Sequence, residues 1–313
     1  MQISEFGGPD AMELVELPDP VPGPDQTLVR VVRAGVNFAD TLTTRNEYVA
    51  AQQLPLVPGV ELVGTTPEGI RVAAIVPNGA YAELAAVDVA ALVRIPDSVD
   101  DDEAAALLVQ GLSADAMLRV SAGLRPGESV VVNAAAGGTG SLVVQIARQL
   151  GAGRVIGLAS SPEKRDLVLE LGADAAVDSR GDHLTEALIE ANGGAPVDVI
   201  VETAGGPAFD QCLEALAPFG RMVVFGIASR QQNEIRTGRL LKNSWSVVGF
   251  WMNHILARPE LVSGSLERVF EMAASGHLKT GIAGTWPLAE AAEALERIAS
   301  RGTVGKLLID PSS

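Results

Sequence analysis

A chain of 313 residues, 47% hydrophobic and 20% charged, is long enough for two domains, and a chain of this size buries roughly three quarters of its unfolded surface. Its formal net charge of -16 and pI near 4.6 weigh against nucleic-acid or anionic-membrane partners, because polyanions are repelled. The single cysteine, Cys212, excludes an internal disulfide and a cysteine-rich zinc site and points to a reducing compartment.

The N-terminus, MQISEFGGPD, has neither a basic start nor an apolar stretch of signal-peptide length, and no apolar run is long enough for a bilayer span. A cytoplasmic protein is expected. Residues 1 to about 110 read as a β-rich region. Pro and Gly cluster in LPDPVPGPDQ, and strands are predicted at Thr27–Ala34, Val72–Val76 and Ala82–Val87. No period of repeat length stands out. The acidic stretch Asp97–Glu103 precedes apolar Ala104–Val109, which reads as a helix start with carboxylates near the dipole rather than as a metal site.

From Leu112 onward the pattern turns α/β. In VVVNAAAGGTGSLVVQIARQL, Val130–Val132 form a β-branched run, and AAAGGTG has almost no side-chain bulk. Leu142, Val143, Ile146, Ala147 and Leu150 then recur at helical spacing. A turn without bulk lets a diphosphate approach the backbone, while the helix start offers unpaired amides and a positive dipole end. Ala135 stands where the usual fingerprint has its first glycine, ahead of Gly137, Gly138, Thr139 and Gly140. About 20 residues after such a turn a ribose-reading acid is expected. The chain has instead Ala159, Ser160, Ser161, Lys164 and Arg165. Hydroxyls and two cations suit a 2'-phosphate, so NADPH rather than NADH is expected. Ser161 before Pro162 also reads as a helix N-cap, and both roles can hold together.

A helix is predicted through Leu167–Leu171, a strand at Ala175–Asp178, a helix around Leu184–Glu190 and a strand at VDVIVE. Then come a helix at Ala208–Leu216, which buries Cys212 as a small apolar group, and a strand at RMVVFG. In such a parallel sheet the residues past the strand ends, Glu202–Gly206 and Gly226, face the cofactor. The aromatic strand Trp245–Trp251 is either core or an edge that pairs across a subunit interface. Amphipathic helices at Leu261–Ala274 and Ala289–Ala299 and the strand GKLLID close the chain.

These residues carry a resemblance over nearly the full length. VNFAD at 36–40, PLVPGVELVG at 55–64, GAYAEL at 79–84, NAAAGGTG at 133–140, LGAD at 171–174, FG at 225–226 and GKLLI at 305–309 resemble zinc-independent medium-chain dehydrogenases/reductases of the quinone oxidoreductase, zeta-crystallin-like type. The resemblance implies an α/β chain in which a Rossmann-type parallel-sheet cofactor domain, 111–250, is inserted into a GroES-like β-rich catalytic domain made of 1–110 and 251–313. It also implies a cofactor cleft between domains, a homodimer, and a small-molecule quinone or enone substrate. Its cofactor contacts, carried onto this chain, include Asn37, Ser179, Thr203, Ala204, Gly205, Phe225, Gly226, Ile227, Phe250 and Lys306.

Zinc-dependent relatives have a cysteine and a histidine where this chain has Asn37 and Val60, and none of its three histidines has a partner at ligand spacing. His183 and His277 read as solvated or capping beside helices, and His254 lies nearer the expected cleft. Without a metal, hydride transfer needs positioning and a donor to the acceptor oxygen, and a conjugated acceptor lessens the need for a Lewis acid. By resemblance, Asn37 and Tyr48 are the expected donors, with Asp40 and Arg45 as an ion pair that orients their loop. The bland reading has Asn37 satisfying a turn and Tyr48 packing in a loop. Leu42 and Ser179 stand where some relatives have tyrosines on the cofactor, which thins the aromatic packing. The segment between Gly64 and Gly79 is shorter than usual, which bears on substrate choice. Enoyl-thioester reduction and a non-catalytic NADPH-binding role are the competing functions, since one fold hosts many.

Overall fold

In chain order the first half of the molecule contains β1 (Gln2–Ile3), β2 (Met12–Glu13), β3 (Gln26–Val36), α1 (Phe38–Thr43), β4 (Glu61–Thr65), β5 (Arg71–Ile75), β6 (Leu84–Asp88), β7 (Leu92–Arg94), α2 (Asp101–Ala116), β8 (Ser129–Val132) and α3 (Gly138–Gln149). There follow β9 (Arg154–Ala159), α4 (Pro162–Glu170), β10 (Ala175–Asp178), α5 (Leu184–Ala191), β11 (Val197–Glu202), α6 (Pro207–Glu214) and β12 (Leu216–Val224). The chain ends with α7 (Thr237–Asn243), β13 (Ser246–Gly249), α8 (Met252–Leu256), α9 (Pro259–Ala274), β14 (Ile282–Pro287), α10 (Ala291–Ala299) and β15 (Lys306–Asp310). The structure, a computed structural model, describes residues 1–300 and 302–313. They divide into two compact units, Met1–Val109 with Thr280–Ser313, and Gln110–Lys279.

The first unit is built on one mixed sheet in the order β14-β15-β3-β4-β5-β7, with β6 also paired to β3. β3 buries Val29 and Val31 by alternation and, past a register shift between Val31 and Arg33, Ala34 and Val36, all at or near zero exposure. They meet Leu62, Val72, Leu307 and Ile309, and Leu288, Ala291, Ala294 and Leu295 from the segment around α10 close the core. The shortened stretch after Gly64 is a tight antiparallel hairpin, β4 to β5 in continuous register from Glu61↔Ile75 to Thr65↔Arg71. Its turn is closed by Thr66 N donating to Ile70 O at 3.0 Å.

The second unit holds a six-stranded sheet ordered β10-β9-β8-β11-β12-β13, every pair parallel. Numbered from β8, that order is 3-2-1-4-5-6, the doubly wound arrangement of dinucleotide-binding domains. The strand order reverses between β8 and β11, so the crevice for a ligand opens past the carboxyl ends of those two strands. β8 is buried at every residue, and α3 covers it with Leu142, Val143, Val144, Ile146 and Ala147, all at most 2% exposed.

Three expectations shift. Residues 251–279, expected with the tail, belong to the second unit. There α9 buries Leu266, Val269 and Phe270, and Ser265 and Arg268 bond the buried carboxylate of Asp115. The predicted helix through Leu216 stops at Glu214, because Leu216 already starts β12. The aromatic strand is shorter than Trp245–Trp251, since Trp245 turns inward to donate from Nε1 to Ala217 O at 3.1 Å and Trp251 precedes α8. The strand that remains, β13, is an edge strand.

Candidate active site

At the end of β8 the chain must reverse within a few residues, and small side chains make that possible. Ala134 takes a left-handed backbone, φ 51°, and its carbonyl accepts from Gly137 N at 2.8 Å. A Cβ on Gly140 would come to 2.2 Å from Ala134 O, and one on Gly138 to 2.2 Å from the Gln110 carboxamide. Both glycines keep clear a cradle that side chains would fill. Their backbone amides, with that of Thr139, lie in the first turn of α3, where no intrahelical acceptor exists. The turn therefore fits a diphosphate.

Past β11 the loop is shaped by Glu202. Its carboxylate, fully buried, accepts from Ala204 N and Gly205 N, both at 2.9 Å. Burial holds its pKa above the ordinary carboxylate value, partly offset by these amides. Gly205 and Gly206 adopt φ 68° and 67°. Ala228 N donates to Thr203 O and Ser229 N to Ala204 O, each at 2.8 Å, which ties the loops after β11 and β12 together. Gly226 has no room for a Cβ beside Thr203 Oγ1, and Phe250 N donates to Val224 O at 2.8 Å. Thr203, Ala204, Gly205, Phe225, Gly226, Ile227 and Phe250 thus gather at the carboxyl ends of neighbouring strands.

The third cluster follows β9. Ser161 caps α4, its Oγ accepting from Lys164 N at 3.3 Å, with Pro162 in the first turn. Ser160, Ser161, Lys164 and Ser179 are half-buried there. Arg165, expected as a phosphate partner, is half-buried beside them. Its guanidinium donates to Ala159 O at 3.3 Å and pairs with Asp178 at 3.1 Å, so it ties α4 to β10.

In the first unit the predicted catalytic residues sit in a buried polar network. Asn37 precedes α1 and is 6% exposed. Its Nδ2 donates to Glu61 Oε1 at 2.7 Å and its Oδ1 accepts from Lys306 Nζ at 2.9 Å. Lys306 also pairs with Glu61, whose other oxygen accepts from Val109 N at 2.7 Å. Lys306, expected on the cofactor, is 1% exposed and directs its ammonium to Glu61 and Asn37 instead. Asp40 does not pair with Arg45. Arg45 donates to Thr41 O at 3.2 Å, while Asp40 accepts from Asn37 N at 2.8 Å and from the Tyr81 hydroxyl at 2.9 Å. Burial pushes the Asp40 carboxyl up to about 6. Tyr48 lies half-buried in the loop after α1.

Glu61 and Tyr81 are the members of this network that sequence reasoning misses. Both stand inside the motifs PGVE and GAYAEL. The glycines around them carry the signal: a Cβ on Gly35 would overlap the Glu61 carboxylate, and one on Gly59 would overlap the Tyr81 ring. The three histidines belong to the second unit. His254 packs edge-on against Trp251 with centroids 5.1 Å apart, His277 Nδ1 bonds Ser275 Oγ at 2.9 Å, and His183 precedes α5 without a side-chain cap. Cys212 is buried, and desolvation pushes its thiol pKa far up, which suits a packing role.

Comparison with known proteins agrees with this division. Residues 23–97 match the alcohol dehydrogenase GroES-like domain model, and residues 138–271 match the zinc-binding dehydrogenase model. The chain is 33% identical to a quinone oxidoreductase of Pseudomonas aeruginosa over 99% of both chains. It is 30% identical to a 2-haloacrylate reductase of Burkholderia, covering 99% of this chain and 98% of that protein. The quinone oxidoreductase of Thermus thermophilus, solved alone and with NADPH, superposes with a TM-score of 0.90 at 36% identity, covering 99% of this chain and 98% of that one.

Proposed function

The chain belongs to the quinone oxidoreductase family of medium-chain dehydrogenases/reductases, and on that premise we propose that it is an NADPH-dependent reductase of quinones or activated alkenes that works without a metal. The observation that carries the reading is the open turn Ala134–Gly140 at the sheet's switch point, together with the hydroxyls and the Lys164 ammonium after β9. When bound, NADPH supplies the hydride. The protein contributes diphosphate binding at Gly138, Thr139 and Gly140, and recognition of the 2'-phosphate by Ser160, Ser161 and Lys164.

On the acceptor side, Asn37 is the donor we assign to the oxygen where charge develops. Nδ2 carries two hydrogens and Glu61 takes one. The Lys306 ammonium on Oδ1 polarises the amide and strengthens the remaining N–H. Tyr48 is the second donor, and solvent supplies the proton that balances hydride addition. The two acids beside Asn37 are already taken, Glu61 by Lys306, Asn37 and Val109 and Asp40 by Asn37 N and the Tyr81 hydroxyl. The kinship to a 2-haloacrylate reductase supports an activated alkene as an alternative acceptor to a quinone. The unpaired edge of β13, with half-buried Val247 and Val248, supports a homodimer formed by edge pairing.

The test is NADPH oxidation across a panel of small quinones, enones, haloacrylates and acyl thioesters. Turnover of a quinone or free alkene is expected. Tight NADPH binding with no turnover would assign a non-catalytic role, and turnover of the thioester alone would assign enoyl-thioester reduction.

A further inference from the structure

Gln110 stands out in α2. Its sequence neighbours Leu107, Leu108 and Leu112 are fully buried, and Gln110 itself, a polar residue, is only 8% exposed. Burying such a group costs free energy unless it finds a partner. Among the described residues its side chain makes no hydrogen bond. What it does meet is the cofactor turn: a Cβ on Gly138 would lie 2.2 Å from Gln110 Oε1 and 2.4 Å from Nε2.

Gly138 is the first residue of α3, and its helical backbone does not require a glycine. The missing Cβ is therefore explained by the space that the Gln110 carboxamide and an incoming phosphate share. A second observation lies beside it. Asn133, 4% exposed, follows β8 as the first residue of the turn, and its Nδ2 has no hydrogen-bond partner among the described residues. A buried amide donor left unpaired beside an anion cradle, with an unbonded carboxamide next to it, is what a ligand would satisfy.

We propose that Gln110 is a cofactor-binding residue whose carboxamide donates to the diphosphate bridge of NADPH over Gly138, adding a side-chain donor to a turn otherwise made of backbone amides. The proposal rests on the reading of NADPH as the cofactor. It assigns Gln110 the task of fixing the bridge, separately from the 2'-phosphate group read after β9.

The experiment is calorimetric titration of wild type, Gln110→Leu and Gln110→Glu with NADPH and with adenosine 2'-monophosphate, a fragment that keeps the 2'-phosphate but has neither phosphate of the diphosphate bridge. NADPH affinity is expected to fall about tenfold in Gln110→Leu, the size of one lost hydrogen bond to a charged group. It is expected to fall further in Gln110→Glu, whose carboxylate repels the bridge. Affinity for the fragment stays at the wild-type value in both. Gln110→Met, unbranched and of similar length, carries the same expectation and replaces the leucine variant if that one does not fold. Wild-type affinity for NADPH in the leucine or methionine variant overturns the role of Gln110 alone, as does an equal loss for both ligands. Failure of the wild type to bind either ligand overturns the cofactor reading and this proposal with it.

Discussion

The two units hold their polar chemistry in opposite ways. In the first, Asn37, Asp40, Glu61, Tyr81 and Lys306 are all at most 6% exposed and satisfy one another through side chains. In the second, the turn from Ala134 to Gly140 is almost free of side chains, and its donors are amides at the start of α3. A side-chain network is stiff, because each member loses a buried partner when another is removed. A backbone cradle tolerates no added bulk, but it depends on no pairing. The first arrangement suits the orientation of a single reacting group, and the second suits the binding of a cofactor that enters and leaves.

The contrast is broken most forcefully at Lys306. Lys306→Met leaves the Glu61 carboxylate buried without its cation, which is expected to cost about 3–5 kcal/mol of stability. Adding Glu61→Gln removes the uncompensated charge and keeps an acceptor for Asn37 while giving up the acceptor of Val109 N, so the double variant is expected to regain part of that loss. Urea denaturation of the two variants measures both effects. A loss below about 1 kcal/mol in the single variant would mean that the network is not a cooperative unit.

Asp40 offers a smaller and pH-dependent version of the same break. Burial raises its pKa from 3.8 to about 6 in the folded protein. The native state thus binds a proton that the unfolded chain releases between those values, and stability from this group is present below about pH 4 and is lost as pH rises through 6. The difference corresponds to about 2–3 kcal/mol. Asp40→Asn lacks it, so on going from pH 7.5 to pH 4.5 the wild type is expected to gain stability relative to the variant. Denaturation midpoints across that range read the effect, and a constant difference would show that Asp40 is ionised throughout.

This division also explains what the sequence disclosed. The β8–α3 turn, the β9 cap and the strand–helix alternation depend on neighbours within a few residues, so composition and spacing reveal them. Ser161 before Pro162 and the small residues of AAAGGTG are local signals of that kind. The Glu61–Lys306 pair joins residues 245 apart in sequence, and no window spans it. Proximity in sequence pairs Arg45 with Asp40, five positions away, yet Asp40 meets Tyr81, 41 positions on. Residues 251–279 are misplaced by the sequence for the same reason. Their helices are plain in it, but the Asp115 carboxylate that receives Ser265 and Arg268 is 150 residues or more earlier.

The smallest effect tests a place where the second unit mixes both arrangements. Ser161 is at once a helix cap, accepting from Lys164 N, and a proposed ligand of the 2'-phosphate. Alanine removes the cap and is expected to cost about 1 kcal/mol of stability, whereas glycine costs only a few tenths. Both remove the hydroxyl. If Ser161 binds phosphate directly, Ser161→Ala and Ser161→Gly lose NADPH affinity by the same factor and keep NADH affinity, although their thermal midpoints differ. If the hydroxyl serves the helix alone, NADPH affinity follows stability, and the glycine variant binds as the wild type does. Titration of both variants with both nucleotides separates the two outcomes, because the cap effect depends on which residue replaces serine and the phosphate contact does not.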